Sequence, residues 1–180
     1  MPDYEILNRD VSFKGRAFEV HQLDVSLPNG LRHRFDLVQH KNSITILPLD
    51  EDGSLYFVSQ YRVGAAAQLL ELPAGVLEEG EDAREGAGRE VREETGLAAK
   101  ELVEIGQAYL APGYSTELMF FFLARGLYAD PLTPDADEFL SLIKIPAQEA
   151  YRMARSGQIQ DSKTLAALLL AEKHIFKAGE

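Results

Sequence analysis

Hydrophobic and polar residues alternate along the first forty positions of the chain, a pattern typical of strands with one exposed face. Short apolar stretches recur from Val11 to Leu27, and a second alternating stretch runs from Leu31 to Gln39. Asn29-Gly30 lies between them and favours a tight hairpin, because both positions of such a turn require positive φ. The pattern predicts a small antiparallel β unit over residues 1–40.

The pattern of residues 41–180 mixes strands and helices without regular alternation. The predicted strands are Ile44–Leu49, Leu55–Val63, Gln68–Leu72, Leu102–Leu110, Glu117–Ala124 and Glu138–Ile145. The predicted helices are Glu81–Thr95, Ala147–Ser156 and Ser162–Lys177. Asp52-Gly53 is expected to join the first two strands into a hairpin, and Pro112-Gly113 the fourth and fifth. This order predicts an α+β domain around a mixed sheet rather than a Rossmann fold.

Composition narrows the class of protein. The chain has 180 residues, 46% of them hydrophobic, which suits one domain or one domain with a small appended unit. It has no cysteine, which excludes disulfides, a thiol nucleophile and thiolate metal sites. The net charge of −11 argues against binding to nucleic acid, which needs a basic surface.

The ends and apolar runs of the chain bear on its location. Residues 1–10 lack the basic-then-apolar pattern of a signal peptide. The apolar run Leu165–Ala171 is far shorter than the roughly 20 residues that span a bilayer. We therefore expect a soluble cytoplasmic protein without a membrane partner.

The predicted helix over residues 81–95 carries clear boundary signals. Asp82 is suited to the N-cap and Gly96 to the left-handed position after the last turn. Asp161 is likewise interpreted as the N-cap of the last helix. Three apolar residues of the first helix recur every four positions and are expected to form a narrow buried stripe: Ala83, Ala87 and Val91.

Three carboxylates crowd one side of this helix. Glu90 and Glu94 are four residues apart and share a face, and Glu93 is also a neighbour of Glu90. Like charges at this spacing destabilise a helix, whereas a divalent cation would reverse the effect, since Mg²⁺ prefers oxygen ligands. Arg89 can pair with Glu93 and hold its orientation. The alternative for such a cluster is an ordinary solvated helix face.

The spacing around these residues decides between the two interpretations. Gly75–Leu97 reads GVLEEGEDAREGAGREVREETGL. It resembles the Nudix box, the signature of the Nudix hydrolases, at all nine fixed positions, and Leu70–Gly75 resembles the strand that leads into that motif. The resemblance implies an α/β/α sandwich and metal-dependent hydrolysis of a nucleoside diphosphate linked to another group.

The resemblance also implies roles for individual residues. Glu90, Glu94 and the carbonyl of Ala74 are expected to bind Mg²⁺ or Mn²⁺, and Glu93 to act as a ligand or as the base. Glu138, in an acidic stretch before a predicted strand, is the alternative base. The remaining motif residues are expected to shape the loop and helix: Gly75, Glu81, Arg89 and Gly96.

Substrate markers lie outside the box. Pro112 follows Leu97 by fifteen residues, and Ala111–Leu127 resembles the corresponding loop and strand of ADP-ribose pyrophosphatases. Gly113 and Tyr114 are the expected substrate contacts of this loop, with Tyr114 at the ribose end. The resemblance extends to the N-terminal β unit, which these enzymes exchange across a homodimer.

The resemblance implies a second substrate contact, because Gln60-Tyr61-Arg62, in the predicted strand Leu55–Val63, is similar to a family segment whose arginine contacts substrate phosphates. Arg62 is suited to substrate phosphates because its guanidinium binds phosphate through two parallel hydrogen bonds. Glu71 either accepts hydrogen bonds from ribose hydroxyls or pairs with Arg62. The nucleotide base of the substrate would need an aromatic contact, and Phe18, Phe35 and Tyr61 are all candidates for it.

These features favour hydrolysis of ADP-ribose to AMP and ribose 5-phosphate. The closest enzymatic alternative is hydrolysis of another nucleotide sugar, such as GDP-mannose or ADP-glucose. A catalytically silent Nudix domain that binds nucleotides as a sensor is a third possibility. The intact set Glu90, Glu93 and Glu94 argues against it, because a binder has no need of all three.

Overall fold

A computed structural model of the chain describes residues 3–133 and 139–176. The described residues divide into two compact units. The first comprises residues 3–42 and 109–118, and the second comprises the described residues of 43–108 and 119–176. No helix in this part of the chain is long and apolar enough to cross a membrane.

Ten strands and three helices make up the described structure. The strands are β1 (Glu5–Lys14), β2 (Phe18–Ser26), β3 (Arg32–His40), β4 (Ser43–Pro48), β5 (Ser54–Arg62), β6 (Ala67–Glu71), β7 (Ala74–Val76), β8 (Leu97–Tyr109), β9 (Leu118–Ala129) and β10 (Ser141–Pro146). The helices are α1 (Ala83–Thr95), α2 (Ala147–Arg155) and α3 (Ser162–Ile175).

The first unit is an antiparallel sheet in the order β1-β2-β3. The hairpin predicted at Asn29-Gly30 joins β2 to β3, but only Gly30 adopts a positive φ, of 80°. The loop is longer than a two-residue turn, because the amide of Leu27 bonds the carbonyl of Leu31. The turn that contains Pro112 is attached to this unit, since Val38 N donates to the carbonyl of Tyr114 at 2.7 Å.

The second unit contains two sheets and all three helices. One sheet has the order β10-β5-β6, and the other has the order β7-β4-β9-β8. In the four-stranded sheet β4 is parallel to β9 and antiparallel to β7, so this sheet is mixed. The α+β prediction is therefore confirmed.

The predicted hairpin between Ile44–Leu49 and Leu55–Val63 is wrong. The chain does turn at Asp52-Gly53, where Asp50 N donates to the carbonyl of Ser54 at 2.9 Å. The strand pairing between the two segments consists of a single bridge, between Leu49 and Leu55. Beyond this bridge β4 and β5 belong to different sheets. Every residue of β4 is buried, as expected for a strand that pairs in parallel inside a sheet.

Helix α1 packs on the four-stranded sheet. Ala87 and Val91 are fully buried against Ile44 and Ile46 of β4 and against Phe122 of β9. The side chain of Asp82 caps the first turn by accepting from two backbone amides, and Gly96 ends the helix in the left-handed conformation. These caps match the sequence prediction, and they define where α1 begins and ends.

Candidate active site

The carboxylates of Glu90 and Glu94 lie in a nearly closed environment. Glu90 is 7% exposed and Glu94 is 8% exposed, and glutamates are rarely so buried unless they are paired. Both lie on the part of α1 that faces the chain around Ala74 and Gly75. The predicted pair is therefore brought together at one place.

Gly75 allows this close approach. A Cβ atom added at residue 75 would stand 1.9 Å from Oε1 of Glu90 and 2.0 Å from its Cδ. Any side chain at this position would displace the Glu90 carboxylate, so the absence of a side chain is what lets the backbone of β7 touch it. The structure gives Gly75 a steric role that follows directly from its position.

The backbone before Gly75 is tied to two other elements. The amide of Ala74 donates to Oε2 of Glu94 at 3.1 Å, and the carbonyl of Pro73 accepts from Ile46 N at 2.8 Å. Residues 72–74 carry the chain from β6 in one sheet to β7 in the other. The short strand β7 was not predicted as a separate element, because three residues give almost no periodic signal.

Arg89 is the cation of this cluster. It donates to Glu81 through Nε at 2.9 Å and through Nη2 at 3.0 Å. Its Nη1 donates to Oε1 of Glu90 at 2.6 Å and to Oε2 of Glu93 at 2.9 Å. These hydrogen bonds, above all those to Glu81, raise the pKa of Arg89, and the bond from Arg89 lowers the pKa of Glu81.

The donor set fits a hard divalent cation in chemistry and in charge. Three carboxylates, on Glu90, Glu93 and Glu94, lie on neighbouring turns of α1, and Mg²⁺ prefers such oxygen ligands. Arg89 supplies one positive charge against the four carboxylates of residues 81, 90, 93 and 94. Among the described residues, no three acidic or histidine side chains already surround a common cation position. Binding a cation would therefore require Glu90 and Glu93 to turn from Arg89 toward the ion.

A second charged cluster lies at the end of β6. Glu71 is fully buried, and both of its oxygens accept from Arg62, at 2.8 Å from Nε and 2.7 Å from Nη2. Nζ of Lys163 donates to the same carboxylate and lies 3.0 Å from Oδ1 of Asp161. Of the two interpretations of Glu71, this geometry favours the partner of Arg62, because cations already use both of its oxygens.

The pKa of Glu71 reflects this environment. Burial raises the pKa of the carboxyl, but Arg62 and Lys163 outweigh burial and hold the pKa below its ordinary value of 4.5. On acidification the unfolded chain therefore takes up its proton at Glu71 before the folded chain does. The resulting stabilisation is complete above about pH 4.5 and is lost as the pH falls through the lower pKa of the folded state.

Replacement of Glu71 by glutamine is expected to lower the free energy of unfolding at pH 7 by about 3 kcal/mol, because two cations lose a buried partner. The loss of stability on acidification below about pH 4.5 should also become shallower. Urea unfolding of both proteins between pH 3 and pH 7 (roughly the range of carboxyl titration) measures both effects. Exposed Glu101 gives the control, Glu101→Gln, and an unchanged acid limb in Glu71→Gln would contradict the assignment.

The sequence analysis interpreted the start of the last helix as a cap, and the structure brings two further residues of that start to the Glu71 cluster. Lys163 is the second cation on Glu71, and Thr164 is fully buried with its Oγ1 accepting from Leu72 N at 2.8 Å. Asp161 caps α3 as predicted, by accepting from Thr164 N at 3.0 Å. The signal in the sequence was a polar pair at the start of an otherwise apolar helix.

The other predicted site residues belong to the first unit or lie outside the described residues. Gly113 and Tyr114 belong to the first unit, where Tyr114 is 60% exposed. Glu138, the alternative base, lies outside the described residues.

Comparison with known proteins gives relatives over most of the chain. The family model of the NUDIX domain matches residues 39–168. ADP-ribose pyrophosphatase of Bacillus subtilis (strain 168) is 33% identical over 158 residues, which are 87% of this chain and 85% of that protein. GDP-mannose pyrophosphatase of Enterobacter sp. (strain 638) is 34% identical in an alignment of 160 positions that covers 81% of this chain and 82% of that protein. A crystal structure of an ADP compounds hydrolase matches with a TM-score of 0.86 and 26% identity, over 96% of this chain and 94% of that chain.

Proposed function

Because the chain belongs to the NUDIX domain family, we propose that this pyrophosphatase hydrolyses ADP-ribose to AMP and ribose 5-phosphate with Mg²⁺. The observation that carries the proposal is the convergence of Glu90 and Glu94 on the backbone at Ala74 and Gly75. The similarity to an ADP-ribose pyrophosphatase over 87% of the chain supports the choice of substrate.

The carboxylates of Glu90 and Glu94 and the carbonyl of Ala74 would hold the cation, for which Mn²⁺ is the alternative. When bound, Mg²⁺ neutralises charge on the phosphate oxygens and makes a water molecule more acidic. Glu93 would join these ligands or accept a proton from the attacking water, and its position on the same side of α1 supports this role. Arg89 holds the carboxylate of Glu93 at 2.9 Å and so limits its orientations.

Two residues are candidates for the base, and each has its own test. Glu93 is the candidate within the box, and Glu138 is the candidate outside it. A base sets the acidic limb of the pH profile of kcat, whereas a residue that only binds the cation changes the metal dependence. The pH profiles of Glu93→Gln and Glu138→Gln therefore distinguish the two assignments.

Arg62 would bind the diphosphate. Its side chain is 43% exposed although its guanidinium is held by Glu71, so one edge of the fork is fixed and the rest is accessible. Gly113 and Tyr114 would contact the ribose end of the substrate. In this proposal Glu71 orients Arg62 rather than contacting a ribose hydroxyl.

The proposal includes a homodimer in the cytoplasm. Ile6, Val11 and Phe13 of β1 are about half exposed although they are large and apolar, and such side chains on a sheet favour burial against a partner. A second copy of the chain is the proposed partner, through residues of the first unit.

Product analysis with a panel of nucleoside diphosphate compounds tests the function. The panel contains ADP-ribose, GDP-mannose, ADP-glucose, NADH and coenzyme A, each with Mg²⁺ and with excess EDTA. We expect ADP-ribose to give the highest kcat/KM, AMP to be a product, and EDTA to abolish turnover. Nucleotide binding without any turnover would contradict the proposal and favour a silent sensor.

Hydrolysis of GDP-mannose is the second candidate, because a GDP-mannose pyrophosphatase is 34% identical over 81% of this chain. The two activities share the hydrolysis of a diphosphate, and their substrates differ in the nucleotide base and the sugar. A higher kcat/KM for GDP-mannose in the same panel would favour this candidate while leaving the assigned cation ligands unchanged.

A further inference from the structure

The first turn of α3 contacts the segment that enters the active site. Thr164 is fully buried, and its Oγ1 accepts a hydrogen bond from Leu72 N at 2.8 Å. The same hydroxyl donates to Oδ2 of Asp161 at 2.7 Å. With its proton given to Asp161, the Thr164 oxygen is oriented to receive the Leu72 amide, so this hydrogen bond has a defined direction.

The three residues after Glu71 are held from three sides. Leu72 is bound to α3 through Thr164, the carbonyl of Pro73 accepts from Ile46 N of β4, and Ala74 N donates to Glu94 of α1. The proline ring also fixes one backbone torsion within the segment. The backbone that leads to the Ala74 carbonyl is therefore held by α3, β4 and α1 together.

Lys163 contacts Glu71, the residue that precedes Leu72. Its ammonium contacts the Glu71 carboxylate and lies 3.0 Å from Oδ1 of Asp161. Glu71 in turn receives the bidentate fork of Arg62. The position of the Arg62 guanidinium therefore depends on a carboxylate that Lys163 also holds.

We propose that Thr164 and Lys163 are positioning residues of the active site. Thr164 sets the Ala74 carbonyl toward the cation, and Lys163 sets Arg62 toward the diphosphate. The inference rests on the proposed function, because Ala74 and Arg62 take these roles there. It adds that the start of α3, remote in sequence from the box, controls cation affinity and substrate affinity through separate residues.

Replacement of Thr164 by valine tests the first arm, because valine keeps the shape and removes the hydroxyl. Loss of a residue that orients a metal ligand typically weakens metal binding 10- to 100-fold, so we expect about a tenfold weaker affinity for Mn²⁺ by electron paramagnetic resonance without substrate. Thr164→Ser keeps the hydroxyl and should restore affinity to within about twofold. With saturating cation, the KM for ADP-ribose should change little.

Tyr151→Phe is the matched control. The Tyr151 hydroxyl is buried and donates to the carbonyl of Leu168 at 2.6 Å, so it also ties α3 to its surroundings through a single hydrogen bond. Its loss is expected to lower the melting temperature without changing Mn²⁺ affinity. Thr164→Val should differ from it in affinity even where the two melting temperatures agree.

Replacement of Lys163 by methionine tests the second arm. Methionine keeps the length of the side chain but removes its charge, so Arg62 no longer shares the Glu71 carboxylate with Lys163. We therefore expect the Arg62 guanidinium to bind Glu71 more tightly. We expect the KM for ADP-ribose to rise about tenfold, as for other outer-sphere partners, with Mn²⁺ affinity unchanged. Lys163→Arg should recover most of the loss.

Two results would overturn the inference. One is wild-type Mn²⁺ affinity in folded Thr164→Val or, if valine prevents folding, in Thr164→Ala. The other is an equal loss of affinity in Tyr151→Phe, which would reduce Thr164 to a general stabiliser of α3. Failure of the proposed function looks different, because the wild-type protein itself would then fail to bind Mn²⁺ or to hydrolyse the substrate panel.

Discussion

Replacement of Glu94 by glutamine is expected to lower kcat by about a hundredfold to a thousandfold, the usual range for loss of one electrostatic contact to the reacting groups. Glutamine keeps the shape of the side chain and an oxygen that can accept from Ala74 N, which lies 3.1 Å from the carboxylate. It removes the negative charge that a divalent cation requires. The measurement is the rate of AMP release from ADP-ribose over a range of Mg²⁺ concentrations.

Glu85→Gln is the matched control for this experiment. Glu85 lies on the same helix, in its first turn, and is exposed. This variant should turn over like the wild-type protein, which shows that charge on α1 as such is not what matters. Normal kcat in Glu94→Gln would contradict the role of Glu94 as a ligand of the catalytic cation.

Replacement of Gly75 by alanine is expected to have the second largest effect. The added Cβ would stand 1.9 Å from Oε1 of Glu90, so the carboxylate or the strand must move. Displacement of a catalytic group by about 1 Å commonly costs a hundredfold in rate. We therefore expect kcat/KM to fall by about that factor and the affinity for Mn²⁺ to fall with it.

Gly64→Ala is the corresponding control. Gly64 lies in the turn between β5 and β6, and no atom outside its chain neighbours comes within 4 Å of an added Cβ. Its variant should keep both activity and cation affinity. Wild-type cation binding by Gly75→Ala would show that Glu90 can retreat without cost, and would remove the steric role assigned to Gly75.

The parts that the sequence predicted well are those set by neighbouring residues. Asp82 caps α1, Gly96 ends it, and the stripe through Ala87 and Val91 is buried, because each signal acts within one or two turns. The clustering of Glu90, Glu93 and Glu94 follows from the same helical spacing. The part of the candidate site that lies on α1 could therefore be predicted from this one helix.

Strand pairing was predicted less well, because pairing is decided by distant residues. Asp52-Gly53 does turn the chain, but a turn does not oblige the strands on either side to pair with each other. The backbone of β4 instead forms its hydrogen bonds with β7 and β9. Strand β4 is parallel to β9, whose residues lie more than seventy positions later in the chain. No local pattern distinguishes this outcome from a hairpin.

The roles of Lys163 and Thr164 were missed for the same reason. Their partners, Glu71 and Leu72, lie 92 residues earlier in the chain. A lysine and a threonine after an aspartate are ordinary at a helix start, and only the completed fold shows that both are buried there. The buried charge on Glu71 requires such partners, but it does not say where in the sequence they lie.

This separation of 92 residues also bears on the order of events during protein synthesis. Domains emerge from the ribosome with the N-terminal part first. The glutamates of α1 and the strands around β7 are therefore available well before Thr164 is added to the chain. The segment from Leu72 to Ala74 receives its last hydrogen bond only when α3 docks. A nascent chain that stops short of α3 would carry the complete Nudix box without the residue that holds its entrance in place.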